Sequence, residues 1–144
     1  MKVPFSKFAN GERVKVSGNK TTWVKANYKK GYGRDIFEEY LKFIYIYAGT
    51  ISLSNQMRLA DIKDIEIGDV FIQGGSPGHV VIVVDMAMDK DTGDKIMMLA
   101  QSYMPSQELH ILKSHTILSP WYKVKDQELI TPEWKFKKGS LKKW

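Results

Sequence analysis

Gly68-Asp69-Val70-Phe71-Ile72-Gln73-Gly74-Gly75-Ser76-Pro77-Gly78-His79-Val80-Val81-Ile82-Val83-Val84-Asp85 is the stretch from which the rest of the chain is read. Val70-Phe71-Ile72 is a short apolar run and Val80 to Met86 a longer one, with turn-forming residues between them. Such a pair reads as two neighbouring strands. Val80 to Val84 is apolar on both faces, which predicts a central strand covered on both sides. Gly74 to Gly78 holds three glycines and a proline in five positions. That density requires positive dihedrals or a close approach of backbone. His79 stands at the mouth of the buried run, where its imidazole is expected half exposed at the sheet's edge.

The next segment extends the reading. Met88 to Asp94 is a polar hairpin loop, and Ile96 to Ser102 returns as the partner strand. If the loop centres near Asp91-Thr92, paired positions sum to about 182, so His79 faces Tyr103 and Val81 faces Gln101 on one side of the sheet. Gln101 then lies diagonally from His79, within reach of an imidazole nitrogen. A slip of one residue would send the two side chains to opposite faces. A histidine oriented by a second polar group is the general arrangement of an activated catalytic base. The other reading of Gly74 to His79 is a sharp turn followed by a structural histidine, and the residues alone leave both open.

Further out, Glu12 to Val16 and Thr21 to Val24 flank Ser17-Gly18-Asn19-Lys20 and read as a hairpin. A helix is expected from about Asp35, with Ile36, Phe37, Tyr40, Leu41, Phe43, Ile44, Tyr47 and Ala48 on one broad face. Asp35, Glu38 and Glu39 suit its amino end, and Gly49 can close it. Thr50 to Asn55 is either a second short helix or extended. A short turn follows, anchored by Leu59, Ile62, Ile65 and Ile67. Leu109 to Leu112 is another short strand, and Ser119 to Tyr122 a bend. The fold class expected is α+β, an antiparallel central sheet with one main helix in the amino-terminal half, in a single domain over 1–144.

Composition narrows the function. With 43% hydrophobic and 12% aromatic residues the chain is of globular type. No apolar run approaches the roughly 20 residues of a membrane-spanning helix, and the first residues lack a secretory signal. As written, the expected compartment is the cytoplasm, or the cell envelope if the chain is a fragment of an exported precursor. The absence of cysteine excludes disulfides, thiolate metal sites and thiol catalysis from within the chain. A net charge of +6 favours anionic surfaces: nucleic acid, anionic lipid or acidic cell-wall polymers. Lys135, Lys137, Lys138, Lys142 and Lys143 interleave with Trp134, Phe136 and Trp144, a pattern able to bind single-stranded nucleic acid. Trp134 to Lys137 alternates with strand period, however, so inward aromatics and solvated lysines are the preferred reading. Nucleic acid is therefore not an expected partner. His110 and His115 share no cluster with His79, the acidic residues lack metal-ligand spacing, and no cofactor or metal is expected. Ser76 or Ser102 acting with His79 as a serine hydrolase is disfavoured, since neither sits at a strand-to-helix elbow.

Six segments carry a resemblance. They are Gly18 to Lys25, Tyr47 to Leu53, Gly68 to His79, Leu99 to Pro105, and Ser119 to Tyr122 with Thr131 to Trp134. Over about residue 6 to the end, the chain resembles an uncharacterised bacterial family, a domain of unknown function common in Bacteroidetes. That family is similar in pattern to the NlpC/P60 and papain-like cysteine hydrolases. The resemblance implies a papain-like core, here lacking an upstream helical segment that would carry the nucleophilic cysteine. It implies His79 as catalytic base and acid, with Gln101 as its orienter or oxyanion partner. Gly75, Ser76, Gly78, Ser102 and Tyr103 are the implied substrate-binding residues, and a peptide or cell-wall amide is the implied substrate. Without the thiol the chain is expected to be catalytically incomplete. The alternative is a non-catalytic binding or structural module of the cell envelope. A missing helical layer would also expose apolar surface that a second copy could cover, so self-association is expected.

Overall fold

The structure is a computed structural model that describes residues 2–25, 27–105 and 107–144. Its contacts cluster in two compact units, Met1–Ala48 and Gly49–Trp144.

The first unit contains α1 (Phe5–Ala9), β1 (Glu12–Ser17), β2 (Lys20–Lys25) and α2 (Arg34–Tyr47). β1 and β2 form the expected antiparallel hairpin, paired from Glu12–Lys25 to Ser17–Lys20. Gly18 at its tip has φ 57°, which glycine adopts without steric cost. Phe8, Ala9 and Ile36 are buried together with a charged residue, Arg13. The Arg13 guanidinium donates to both carboxylate oxygens of Glu39 at 3.0 and 2.8 Å. It also donates to the carbonyls of Phe8 and Glu12, each at 2.9 Å. Its flat face covers the Phe8 ring at 3.9 Å. A planar five-donor cation with each edge engaged suits such a site, where an ammonium would leave acceptors empty. α2 differs from the expected helix in two ways. Only Ile36 of its apolar set is fully buried, while Tyr45, Ile46 and Tyr47 are exposed. Gly49 does not close it; Ala48 does, and Gly49 instead precedes the next helix.

The second unit opens with α3 (Thr50–Gln56), which resolves the ambiguous segment as helix. β3 (Arg58–Leu59) and a single 3-10 turn (Ile62–Asp64) follow. Ile65 anchors this turn in the core, but Leu59 and Ile67 are exposed and anchor nothing. β4 (Val70–Gln73), β5 (His79–Met88), β6 (Lys95–Gln101) and β7 (His110–Ile111) come next. The last strands are β8 (Tyr122–Lys123), β9 (Leu129–Ile130), β10 (Lys135–Phe136) and β11 (Leu141–Lys143). The main sheet has the order β3-β11-β4-β5-β6-β7, with β8 also pairing β6. Every pairing in it is antiparallel. β9 and β10 form a separate hairpin.

β5 is central, flanked by β4 and β6. One of its faces joins Phe71, Val81, Val83, Met97, Leu99, Leu112, Tyr122, Phe136 and Leu141 in the main core. The other face is covered by α3 and the residue that caps it, through Leu53 and Met57 against Val70, Ile72 and Val80. That cover ends at Ile82, which is 36% exposed. The expectation of a strand covered on both sides is thus corrected at its middle residue. α3 has only two turns, and its apolar contacts reach Val80 but not Ile82.

Trp134 and Phe136 pack inward as the strand period predicts, but Trp144 is exposed, which corrects the expectation for the last of the terminal aromatics. Phe136 is fully buried while Lys135 and Lys137 are exposed. Lys142 is not part of a solvated basic tail. It lies in β11, and its ammonium donates to the carbonyl and hydroxyl of Ser54 at the end of α3.

Candidate functional site

The glycine loop is built by close approach, not by left-handed dihedrals. Gly74, Gly75 and Gly78 all keep φ outside the positive region. A β-carbon on Gly74 would stand 3.1–3.2 Å from Ser54 Cβ, Ile51 Cα and Thr50 O. One on Gly78 would overlap Thr50 Oγ1 and come within 2.7 Å of the Gly75 amide nitrogen and carbonyl oxygen. The loop therefore lies flat on the start of α3. Thr50 Oγ1 fastens it, accepting from Gly75 N–H and donating to Gly75 O, each at 3.4 Å. The Gly68-Asp69 turn at the other end of β4 does need a positive dihedral, with Gly68 at φ 95°. Val83 N–H donates to Asp69 O at 2.9 Å and Gly68 N–H to Val83 O at 2.8 Å, so this turn sets the register of β5 on β4.

That register pairs His79 with Gln73. On the opposite side Ile82 pairs Ala100 and Val83 pairs Leu99, each summing to 182 as the hairpin estimate requires. A bulge between Val83 and Asp85 shifts the remaining pairs by one. Because the bulge lies beyond Val83, His79 and Gln101 remain on one face. Their side chains meet, with His79 Nε2 2.6 Å from Gln101 Oε1.

The imidazole is not half exposed. His79 is 8% exposed, and this corrects the expectation of a ring looking out from the sheet's edge. Tyr103 stands edge-on to it at 5.0 Å, Trp134 is tilted over it at 5.3 Å, and Phe136 is stacked at 5.9 Å. Gln101 is 2% exposed. Its amide nitrogen donates to Glu133 Oε2 at 2.8 Å. Histidine, amide and carboxylate thus form one chain across β5, β6 and the turn between β9 and β10.

Glu133 and Trp134 enter the site together from that turn, and sequence reading assigned neither a role here. Buried Thr131 clamps the turn. Its N–H donates to Trp134 O at 2.8 Å, and its hydroxyl donates to the same oxygen at 3.0 Å while accepting from Trp134 N–H at 3.1 Å. A Thr-Pro-Glu-Trp stretch is recognisable as a turn from its hydroxyl and proline. Nothing local indicates that it folds over β6.

Of the residues expected to touch substrate, Tyr103 packs on His79. Gly75 and Gly78 lie against Thr50. Ser76 and Ser102 are solvent-exposed, and neither hydroxyl bonds to His79 among the described residues. Three surface cavities, lined around Gly139 and Leu141, around Leu129 and Ile130, and around Ile67 and Met88, do not include His79 or Gln101. Among the described residues no group of three His, Asp or Glu side chains is arranged to hold a metal. No helix among them is long and apolar enough to cross a membrane.

One ionisable group beside the chain is perturbed. Burial of Tyr122, with the negative charge of Glu133 adding to it, pushes the phenol up to about 12. Its hydroxyl donates to Lys113 O at 2.6 Å.

The fold and site define an α+β protein whose antiparallel sheet carries a histidine–amide–carboxylate chain, buried at His79 and Gln101 and open to solvent at Glu133. It belongs to the family described as domain of unknown function 4846, whose model matches residues 1–143. Searches of curated proteins and of solved structures each returned no match.

Proposed function

We propose that this chain carries the histidine–amide part of a papain-like (NlpC/P60-like) cysteine hydrolase site and is catalytically incomplete without a thiol from outside its sequence. The supporting observation is the 2.6 Å contact between His79 Nε2 and Gln101 Oε1. A base must sit within hydrogen-bond distance of the group that orients it, and this pair meets that condition before any substrate is bound. His79 is the base that would take a thiol proton and return it to the leaving amine. Gln101 holds the ring, and the substrate class is a peptide or cell-wall amide.

A cysteine-free chain allows a direct test, because an introduced thiol is the sole one present. Ser76→Cys and Tyr103→Cys each place sulfur on an element that adjoins His79. Beside a competent base, iodoacetamide alkylation at neutral pH should run roughly tenfold faster than for the urea-unfolded chain, since a thiol near a histidine has a lowered pKa. The gain should vanish in His79→Gln. Equal rates in folded and unfolded protein for both variants, unaffected by His79→Gln, would remove the hydrolase reading.

One observation favours a second reading, a non-catalytic binding or structural module. The imidazole is closely walled by Tyr103, Trp134 and Phe136, as suits a histidine that organises a core. Unactivated thiols would support this reading.

A further inference from the structure

We propose that Glu133 is a positioning residue that fixes the proton of neutral His79 on Nε2 and leaves Nδ1 as the basic nitrogen. An ionised carboxylate has only acceptor oxygens. Facing Glu133 Oε2 at 2.8 Å, the Gln101 amide must therefore present its nitrogen. With the nitrogen committed, the amide oxygen is what remains to face His79, at 2.6 Å from Nε2. An oxygen acceptor there demands a donor, so the neutral ring carries its proton on Nε2. The lone pair is then on Nδ1.

The surroundings agree with that assignment. Among the described residues Nδ1 takes no hydrogen-bond partner; the ring's one bond is at Nε2. The aromatic walls hold the ring plane, and the Thr131 clamp holds Glu133. The charge of Glu133 is also felt by the neighbouring Tyr122 phenol. Any significance for catalysis rests on the hydrolase reading above, which requires a basic nitrogen free of protein partners. The tautomer itself stands independently of that reading.

Long-range proton–nitrogen correlation spectra of the full chain with ¹⁵N-labelled histidine read the tautomer directly. The three histidines are distinguished by the signal lost in His79→Gln. With the ring neutral, in alkaline solution, wild-type His79 should favour Nε2–H by roughly tenfold, the worth of one buried hydrogen bond. Glu133→Lys presents only donors. It should turn the amide over, bring its NH2 to face Nε2 and move the proton to Nδ1. Glu133→Gln, able to donate or accept, should reduce the preference to less than about threefold. A wild-type ring protonated on Nδ1 would overturn the proposal. So would a preference unchanged in Glu133→Lys or, should that variant unfold, in Glu133→Gln. An Nε2–H ring without thiol activation would instead sink the hydrolase reading alone.

Discussion

Phe136 lies stacked on His79, centroids 5.9 Å apart and planes within 25°. A polar ring in that position carries structural energy, contrary to the small effect that a half-exposed imidazole would imply. His79→Ala removes the stack and leaves Gln101 Oε1 buried without its donor, which costs about 1–3 kcal/mol for the orphaned group alone. Thermal unfolding should fall by about 8 °C, given roughly 4 °C per kcal/mol for a unit of this size. His79→Gln should lose less than half of that. A His79→Ala midpoint within about 2 °C of wild type would show that the ring contributes nothing to packing.

Adjacent residues of β5 should respond oppositely to charge. Val83 is fully buried, whereas Ile82 is 36% exposed. Val83→Asp places an unpaired carboxylate in the core and should abolish cooperative folding. Ile82→Asp can direct its carboxylate to water and should leave a soluble protein with a cooperative melt. Circular dichroism on both variants decides the matter.

Much of this site was legible in the sequence, and the boundary has a physical cause. Strand period and turn residues are local signals, so β4, β5, β6 and the diagonal placement of His79 and Gln101 followed from Gly68 to Ser102. The register survived because the bulge after Val83 lies on the far side of Val83 from His79. What escaped was non-local. The burial of His79 depends on Trp134 and Phe136, and the outer end of the chain of hydrogen bonds depends on Glu133, all arriving from a distant hairpin. α1 and β11 were missed because runs of five and three residues carry too little period to read.

The glycine loop should reject even a methyl group. Gly78→Ala brings a β-carbon against Thr50 Oγ1 and the Gly75 backbone. Removing the hydroxyl in Thr50→Ala relieves only the first clash, so the double variant should remain destabilised. Gly18→Ala, whose β-carbon meets nothing within 4 Å, bears only the dihedral strain of its turn, about 1–2 kcal/mol. Recovery of the Gly78→Ala midpoint by Thr50→Ala would mean that Gly75 yields.

Alkaline stability should reveal Tyr122. Burial in the folded state pushes its phenol from the ordinary range up to about 12. Between those values the folded state holds the extra proton, so the stabilisation is complete below about pH 10. It declines as pH rises through 12. Tyr122→Phe loses the bond to Lys113 O and should be less stable at pH 8 by about 1 kcal/mol. The gap should narrow between pH 10 and 12 in urea titrations. A gap constant with pH would contradict the burial of the phenol.

Exchanging the amide and the carboxylate gives a stringent check on their coupling. Gln101→Glu alone sets two carboxylates against each other and should destabilise strongly. Gln101→Glu with Glu133→Gln restores a donor–acceptor pair and still offers an oxygen to His79. The double variant should regain 1 kcal/mol or more relative to the sum of the single effects. Simple additivity in denaturant unfolding would show that the two side chains act independently.

β11 threads between β3 and β4, pairing with both. Lys142 reaches Ser54 across 88 residues of chain. A ribosome therefore delivers both neighbours of this strand long before the strand itself, and the gap between them can be filled only when synthesis reaches Leu141. Until then the hydrogen-bonding edge of β4 stands open, a template for foreign strands. Chaperone dependence or aggregation during translation should concentrate in that interval.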